Sequence, residues 1–328
     1  MIARRREPWT DRQASRRLGA VASLVLLIIL AMIGFVAVRA WPTLQANGWV
    51  SWLGVGGNVD HQLGEMIKTG QDPPASAYHL RAWPMVYGTL LTTTVSVAVG
   101  LAFSLFSAIF IVEFAPARVR AVVVPAVRLL AAVPSVIYGL IGILVLAPFV
   151  GNHLISPERK TSVQNVVQID GTGVLVAIVV LTVMITPIMI AIVVDALRAI
   201  PTAWTEGASA LGANRWEAIW TVSVRAARPA IVAAAVLACA RALGEAVALS
   251  MVSGSRGFSP NPIDGLTYIF EPIRPLAASM VENVDAINSP AVKSSIYAFA
   301  LLLLLSSLVL SIGGYIAKLP MRRQGLRV

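Results

Sequence analysis

The sequence predicts an all-α, polytopic membrane protein with six spanning helices, and two observations carry that prediction. Of the 328 residues, 57% are apolar and only 13% charged, where an ordinary soluble domain carries roughly 25% charged residues. The apolar residues are also gathered into uninterrupted stretches, and a helix needs about 20 of them to cross a hydrocarbon core of about 30 Å. Strands are excluded as the spanning element because the alternating ten-residue runs of a barrel are missing, while a helix satisfies its backbone polar groups internally.

The spans are expected at residues 18–40, 86–114, 121–150, 173–195, 229–252 and 294–318. The first follows a basic segment, 1–17, with Arg4, Arg5, Arg6, Arg12, Arg16 and Arg17, so a cleaved signal peptide competes with a retained helix. Its apolar run, 18–38, exceeds the roughly 7 to 15 residues of a signal core, which favours retention. An outer segment, 41–85, reads as irregular loop and short interfacial helix, with Trp41, Trp49, Trp52 and Trp83 as aromatic anchors at headgroup level. A five-helix core, 86–318, follows. Its outer loop 151–172 carries His153, Glu158, Arg159 and Lys160 as solvated residues. A second outer segment, 253–290, is broken by Pro260, Pro262, Pro272, Pro275 and Pro290; residues 276–285 have helical patterning and suit either an outer-surface helix that receives a partner or a plain cap. A basic tail, 319–328, ends the chain. Cys239 falls inside the fifth span with no second cysteine to pair with, as a small apolar residue.

The net charge of +10 would suggest nucleic acid for a soluble protein, but its distribution says otherwise. Segments 1–17, 114–120, 197–228 and the end of the chain from Lys318 hold sixteen Lys and Arg, and the longer outer stretches between spans, 41–85, 151–172 and 253–293, hold seven. That asymmetry is the positive-inside pattern, so both termini are expected in the cytoplasm, and no nucleic-acid partner is implied.

The inner loop 197–228 is long and organised as helix, turn and helix. Pro201 and Thr202 start the first half, Trp204, Ala208 and Leu211 form its apolar side, and Gly212 ends it. Asn214 with Glu217 three residues on forms a capping box for the second half. Such a knob can dock a partner or simply pack under the bundle.

No phosphate-cradling G-x-x-x-x-G-K-[ST] loop is present, so any ATP is hydrolysed on another chain. His61, His79 and His153 all lie in outer segments, and no metal-spaced cluster or nucleophile and base pair appears; the chain itself is not expected to be an enzyme. What stands out is ionisable residues inside spans, each costing roughly 2.5 to 3.5 kcal/mol at a helix centre. Arg241 and Glu245, four apart in the fifth span, are expected on one helix face where they can pair, either as a structural ion pair or as an oxyanion site, for which a planar guanidinium is suited. Arg128 has no carboxylate four residues away and must snorkel, face a cavity or pair with another helix. Pro134 and Pro187 each remove a backbone hydrogen bond within a span.

Glu206-Gly207-Ala208-Ser209-Ala210-Leu211-Gly212 resembles the Glu-Ala-Ala, three residues, Gly motif (the EAA motif) of permeases of ABC importers, where it forms the coupling helix that docks on the ATPase subunit. Leu129-Leu130-Ala131-Ala132-Val133-Pro134-Ser135-Val136-Ile137-Tyr138-Gly139 and Arg241-Ala242-Leu243-Gly244-Glu245 are similar to the third-span and fifth-span signatures of the phosphate-specific members. The long segment before Val86-Tyr87-Gly88-Thr89-Leu90 resembles the C-type permease rather than its A-type partner. Two departures stand out: Val222-Ser223-Val224-Arg225 occupies the place of the family's apolar residue, Leu and Pro, and Arg128 stands where a carboxylate is usual.

The resemblance implies a type I ABC importer permease in the bacterial inner membrane, translocating inorganic phosphate by ATP-driven alternating access. It implies an A-type permease as the other half of a heterodimer, two ATPase subunits that hold ATP and Mg, an extracytoplasmic phosphate-binding protein, and no cofactor on this chain. Arg241, Glu245 and Arg128 become pathway residues; Glu206, Gly207, Ala208, Leu211 and Gly212 become coupling residues; Pro134, Ser135, Tyr138, Gly139 and Gly244 are signature positions. Alternatives are a permease for sulfate, molybdate or an organic solute, an ion-coupled secondary transporter or channel, and a membrane scaffold.

Overall fold

The computed structural model describes residues 8–323 apart from Gly57, Gln71, 164–167 and Phe258. Arg4, Arg5, Arg6 and the last five residues of the basic tail lie outside the described residues. Six helical segments are long and apolar enough to span, at Gln13–Asn47, Ala75–Phe114, Ser135–Leu154, Val174–Arg198, Arg215–Leu243 and Pro290–Ala317.

Helix α1 (Pro8–Asn47) exposes almost every apolar side chain up to Phe35, then buries Val36, Ala40 and Leu44 at four-residue spacing. That stripe meets Ala291, Val292, Ala298 and Phe299 of α15 (Pro290–Arg323), where Thr43 Oγ1 donates to Ser294 Oγ at 2.8 Å. Short helices α2 (Trp49–Trp52) and α3 (Val59–Lys68) follow; α3 carries His61 and is capped by the Asn58 side chain. Trp41 and Trp49 are exposed and Trp83 half-buried, but Trp52 is not a headgroup anchor. It is fully buried and stacked on Phe299 with ring centroids 6.4 Å apart, because α2 folds back onto the α1–α15 core.

Helix α4 (Trp83–Ile109) buries a small residue at every fourth position: Gly88, Thr92, Ser96, Gly100, Ser104 and Ala108. Small side chains let two backbones approach, which is the packing available where lipid removes the hydrophobic drive between helices. The partner is α9 (Val174–Arg198), the most buried span. A Cβ at Gly100 would come within 2.7 Å of Met189 Cε, and Ser96 Oγ donates to the Ile178 carbonyl at 3.1 Å.

The third and fifth spans differ from the sequence expectation. Residues 121–150 are not one helix: α5 (Ala117–Ala131) stops before Pro134, and a separate helix, α6 (Ser135–Ile141), starts after it. It continues through the π-helical turn Gly142–Leu146, α7 (Ala147–Phe149) and a second such turn to Leu154, before the exposed α8 (Pro157–Val163). Proline has no N–H to donate and pushes the preceding residue out of the helical region, so a proline here divides the element. Residues 229–252 are likewise two helices. After the inner helices α10 (Thr202–Ala210) and α11 (Arg215–Ala218), α12 (Val224–Leu243) ends at Gly244 and α13 (Val247–Val252) begins after Ala246.

Helix α14 (Leu276–Glu282) is seated in the fold by its first half, while Val281 stays exposed. Leu276, Ala277, Ala278 and Ser279 are all buried, and the Leu276 amide donates to Thr89 Oγ1 of α4 at 2.8 Å. Next to it Arg274, 14% exposed, ties the outer segments together. It pairs with Asp60 of α3, donates to the Ser255 carbonyl at 2.6 Å, and holds Nε 2.7 Å from Glu282 Oε2. That last contact brings the charges together without aiming the N–H at the oxygen. Burial pushes the Glu282 carboxyl above its usual range, against the lowering effect of Ser255 and Arg274.

Candidate functional site

The two helix breaks are brought together. Gly139 of α6 is buried against α13, where an added Cβ would lie 2.9 Å from Ala248 Cα and 3.0 Å from Met251 Sδ. One turn on, a Cβ at Gly142 would lie 2.6 Å from Val252 Cγ1 and 2.8 Å from Val180 Cγ2. Only glycine at both positions lets α6 and α13 sit this close. The signature stretches of the third and fifth spans are therefore one packed unit, with Pro134 as the N-cap of α6 and Gly244 as the C-cap of α12. Ser135 opens α6, half-buried. Tyr138 bridges its own break by donating from its hydroxyl to the Leu130 carbonyl of α5 at 2.8 Å.

Arg241 and Glu245 do not form the ion pair that one continuous helix would have placed on a single face. The helix ends between them. Glu245 is 9% exposed, and its Oε1 accepts the Ala248 amide at 3.1 Å, closing the first turn of α13. Arg241 stands in the last turn of α12, where a cation complements the carbonyl end of the helix. Its Nε is buried with no hydrogen-bond partner among the described residues. A buried guanidinium N–H without an acceptor is costly, and an oxygen ligand would satisfy it.

Arg128 pairs with another helix, the third of the choices its sequence setting allowed. Its Nη2 donates to Asp195 Oδ1 at 3.0 Å and Oδ2 at 3.3 Å, from α5 to the end of α9. Both side chains are 57% exposed. Asp195 was missed in the sequence, although a carboxylate at a span end is the natural partner to seek for an intraspan arginine.

Just past the end of α9, α10 and the residue after it present Trp204, Glu206, Gly207 and Leu211 to solvent, with Leu211 91% exposed and Ala208 half-buried. Gly212 takes φ +92°, a left-handed turn that favours glycine, and Asn214 and Glu217 close the capping box on α11. This loop is tied to the end of α4. Arg215 donates to the Glu113 carbonyl and lies over the Phe114 ring at 4.5 Å, while Trp216, Trp220 and Phe106 form a chain of edge contacts into the span. Arg120 holds the Val112 and Ala115 carbonyls from the side of α5. Neither arginine carries a sequence signal beyond its charge.

Residues 100–318 match the family of binding-protein-dependent transport system inner membrane components. The chain belongs to that family. It is a multi-pass inner membrane permease, and its similarity to curated permeases runs along most of its length. It is 32% identical to phosphate transport system permease protein PstC 1 of Mycobacterium tuberculosis over 87% of this chain and 86% of that one. It is 30% identical to a probable PstC of Methanocaldococcus jannaschii, over 89% and 88%, and 26% identical to PstC of Haemophilus influenzae, over 85% and 84%. Its fold is that of solved ABC importers: a bacterial alginate transporter at TM-score 0.56, 14% identity, 96% of this permease and 98% of that chain, and the MetNI methionine transporter at 0.51, 20% identity, 74% and 94%.

Proposed function

We propose that this permease is the C-type half of an ATP-driven importer of inorganic phosphate, oriented with both termini in the cytoplasm. The observation that carries the reading is Arg241: a guanidinium whose buried Nε has no acceptor among the described residues, held at the junction of two broken spans in a chain similar to phosphate permeases over most of its length. Such a group offers a fixed positive charge to a tetrahedral oxyanion at any accessible pH. Its counter-charge, Glu245, is turned away to cap α13, which leaves the anion to satisfy the arginine only transiently.

A second permease of A type supplies the other wall of the pathway, since α5, α6 and the π-helical turn after α6 present Leu129, Leu130, Ile137, Leu140 and Leu144 unburied. A phosphate-loaded binding protein docks on the outer segments, and two ATPase subunits that hold ATP and Mg receive α10 through Trp204 and Leu211. ATP-driven closure of those subunits then pulls the loop, and the Arg215 tie and tryptophan chain carry the displacement into α4, shifting the bundle between its two accessible states.

The test is co-purification followed by ATPase assay with and without a phosphate-loaded binding protein. Recovery of an ATPase whose rate rises with the loaded protein is the expected result; recovery of no ATPase subunit, or a rate that responds to sulfate-loaded but not phosphate-loaded protein, overturns it.

A further inference from the structure

An open pocket of about 590 Å³ lies between α1 and α15, at the end of α1 away from its basic start, well separated in sequence from the Arg241 junction. Arg39 and Lys293 line it, with Tyr78, Tyr297, Pro42 and Ser294, and its lining contains no Asp or Glu. Neither cation has a carboxylate partner among the described residues, and both are exposed. Arg39 lies over the Phe35 ring at 5.5 Å, and Phe35 meets Tyr297 edge-on at 5.9 Å, so the two lining residues Arg39 and Tyr297 are linked through Phe35. The wall behind them is rigid, because Ser294 is buried and takes hydrogen bonds from the Thr43 amide and hydroxyl.

We infer that this pocket binds the headgroup of an anionic phospholipid. Two unpaired cations converging beside tyrosines suit a phosphodiester, and the surface leading away from the pocket decides between a lipid and a free anion. On α1, Phe35, Met32 and Ile28 follow Arg39 at three- and four-residue steps and are about half exposed. On α15, Tyr297, Ala300, Leu304 and Leu308 follow Lys293 at the same spacing. The pocket therefore opens onto a continuous apolar seam between two spanning helices, where acyl chains lie while the phosphate stays with the cations. A soluble anion has no use for such a seam. The site is independent of what the permease transports.

The experiment is native mass spectrometry on the full chain released from neutral detergent after equilibration with phosphatidylglycerol and phosphatidylethanolamine in equal amounts. The expected preference for phosphatidylglycerol is roughly thirtyfold, the factor for two cations at about 1 kcal/mol each. It falls towards unity in R39Q/K293Q and persists in R39K/K293R. In the wild type alone, the preference also declines as salt is raised, so the result does not depend on the glutamine variant folding. Equal retention of the two lipids by the wild type overturns the inference, as does a preference that survives R39Q/K293Q. Displacement of phosphatidylglycerol by millimolar inorganic phosphate makes the site one for a free anion, and overturns the lipid assignment.

Discussion

Arg241, Glu245 and Gly139 show how single residues set the character of this permease. Arg241→Ala is expected to abolish phosphate uptake in membrane vesicles at normal complex abundance, and Arg241→Lys to restore only a small fraction, because an ammonium lacks the planar fork that takes two oxygens. Uptake at the wild-type rate in either variant would remove Arg241 from the pathway. Gly139 is constrained by space instead of charge. A Cβ there meets the backbone of Ala248 at 2.9 Å, and backbone cannot step aside as a flexible side chain can. Gly139→Val is therefore expected to destabilise the chain by about 1 to 3 kcal/mol, read as a lower unfolding midpoint in a denaturing-detergent titration. The residue types at both positions are legible from the sequence. The absence of an Arg241–Glu245 pair is not, because four-residue spacing makes a pair only if the helix continues, and Gly244 ends it.

At the scale of the element, the inner loop is the part the sequence describes best, since its start, turn and capping box are all local signals. Gly207 sits inside α10 with open space where a Cβ would go. Gly207→Ala is expected to raise stability by about 0.5 to 1 kcal/mol, by restricting the unfolded chain, with recovery of the ATPase subunit intact. Leu211→Ser should do the reverse: no change in the unfolding midpoint, because the side chain is 91% exposed, but a clear loss of co-purified ATPase. A Leu211→Ser chain that retains full ATPase recovery would show that α10 does not dock through this residue. The third and fifth spans were the least legible elements. Apolar runs of about 24 to 30 residues read as single helices, and the consequences of Pro134 and Gly244 appear only when the other broken helix packs into the gap.

Across the whole molecule, the outer segments are joined to one another by Arg274, which is nearly buried between Asp60 and Glu282. Arg274→Met strands two carboxylates and is expected to cost about 3 to 5 kcal/mol. Limited proteolysis of the segment around α3 should accelerate in that variant, and unchanged cleavage would assign the tie no structural weight. The sequence by itself determined the six apolar spans, the asymmetric basic charge, the capped inner loop and the family signatures, since each rests on composition or spacing within about one helix length. Only the tertiary structure decided that Trp52 is core, that the first half of α14 is buried, that Arg128 pairs with Asp195, and that Arg241 Nε has no partner among the described residues. Those outcomes depend on which residue of a distant segment arrives within hydrogen-bond reach, and along 67 residues of chain from Arg128 to Asp195 no local propensity carries that information.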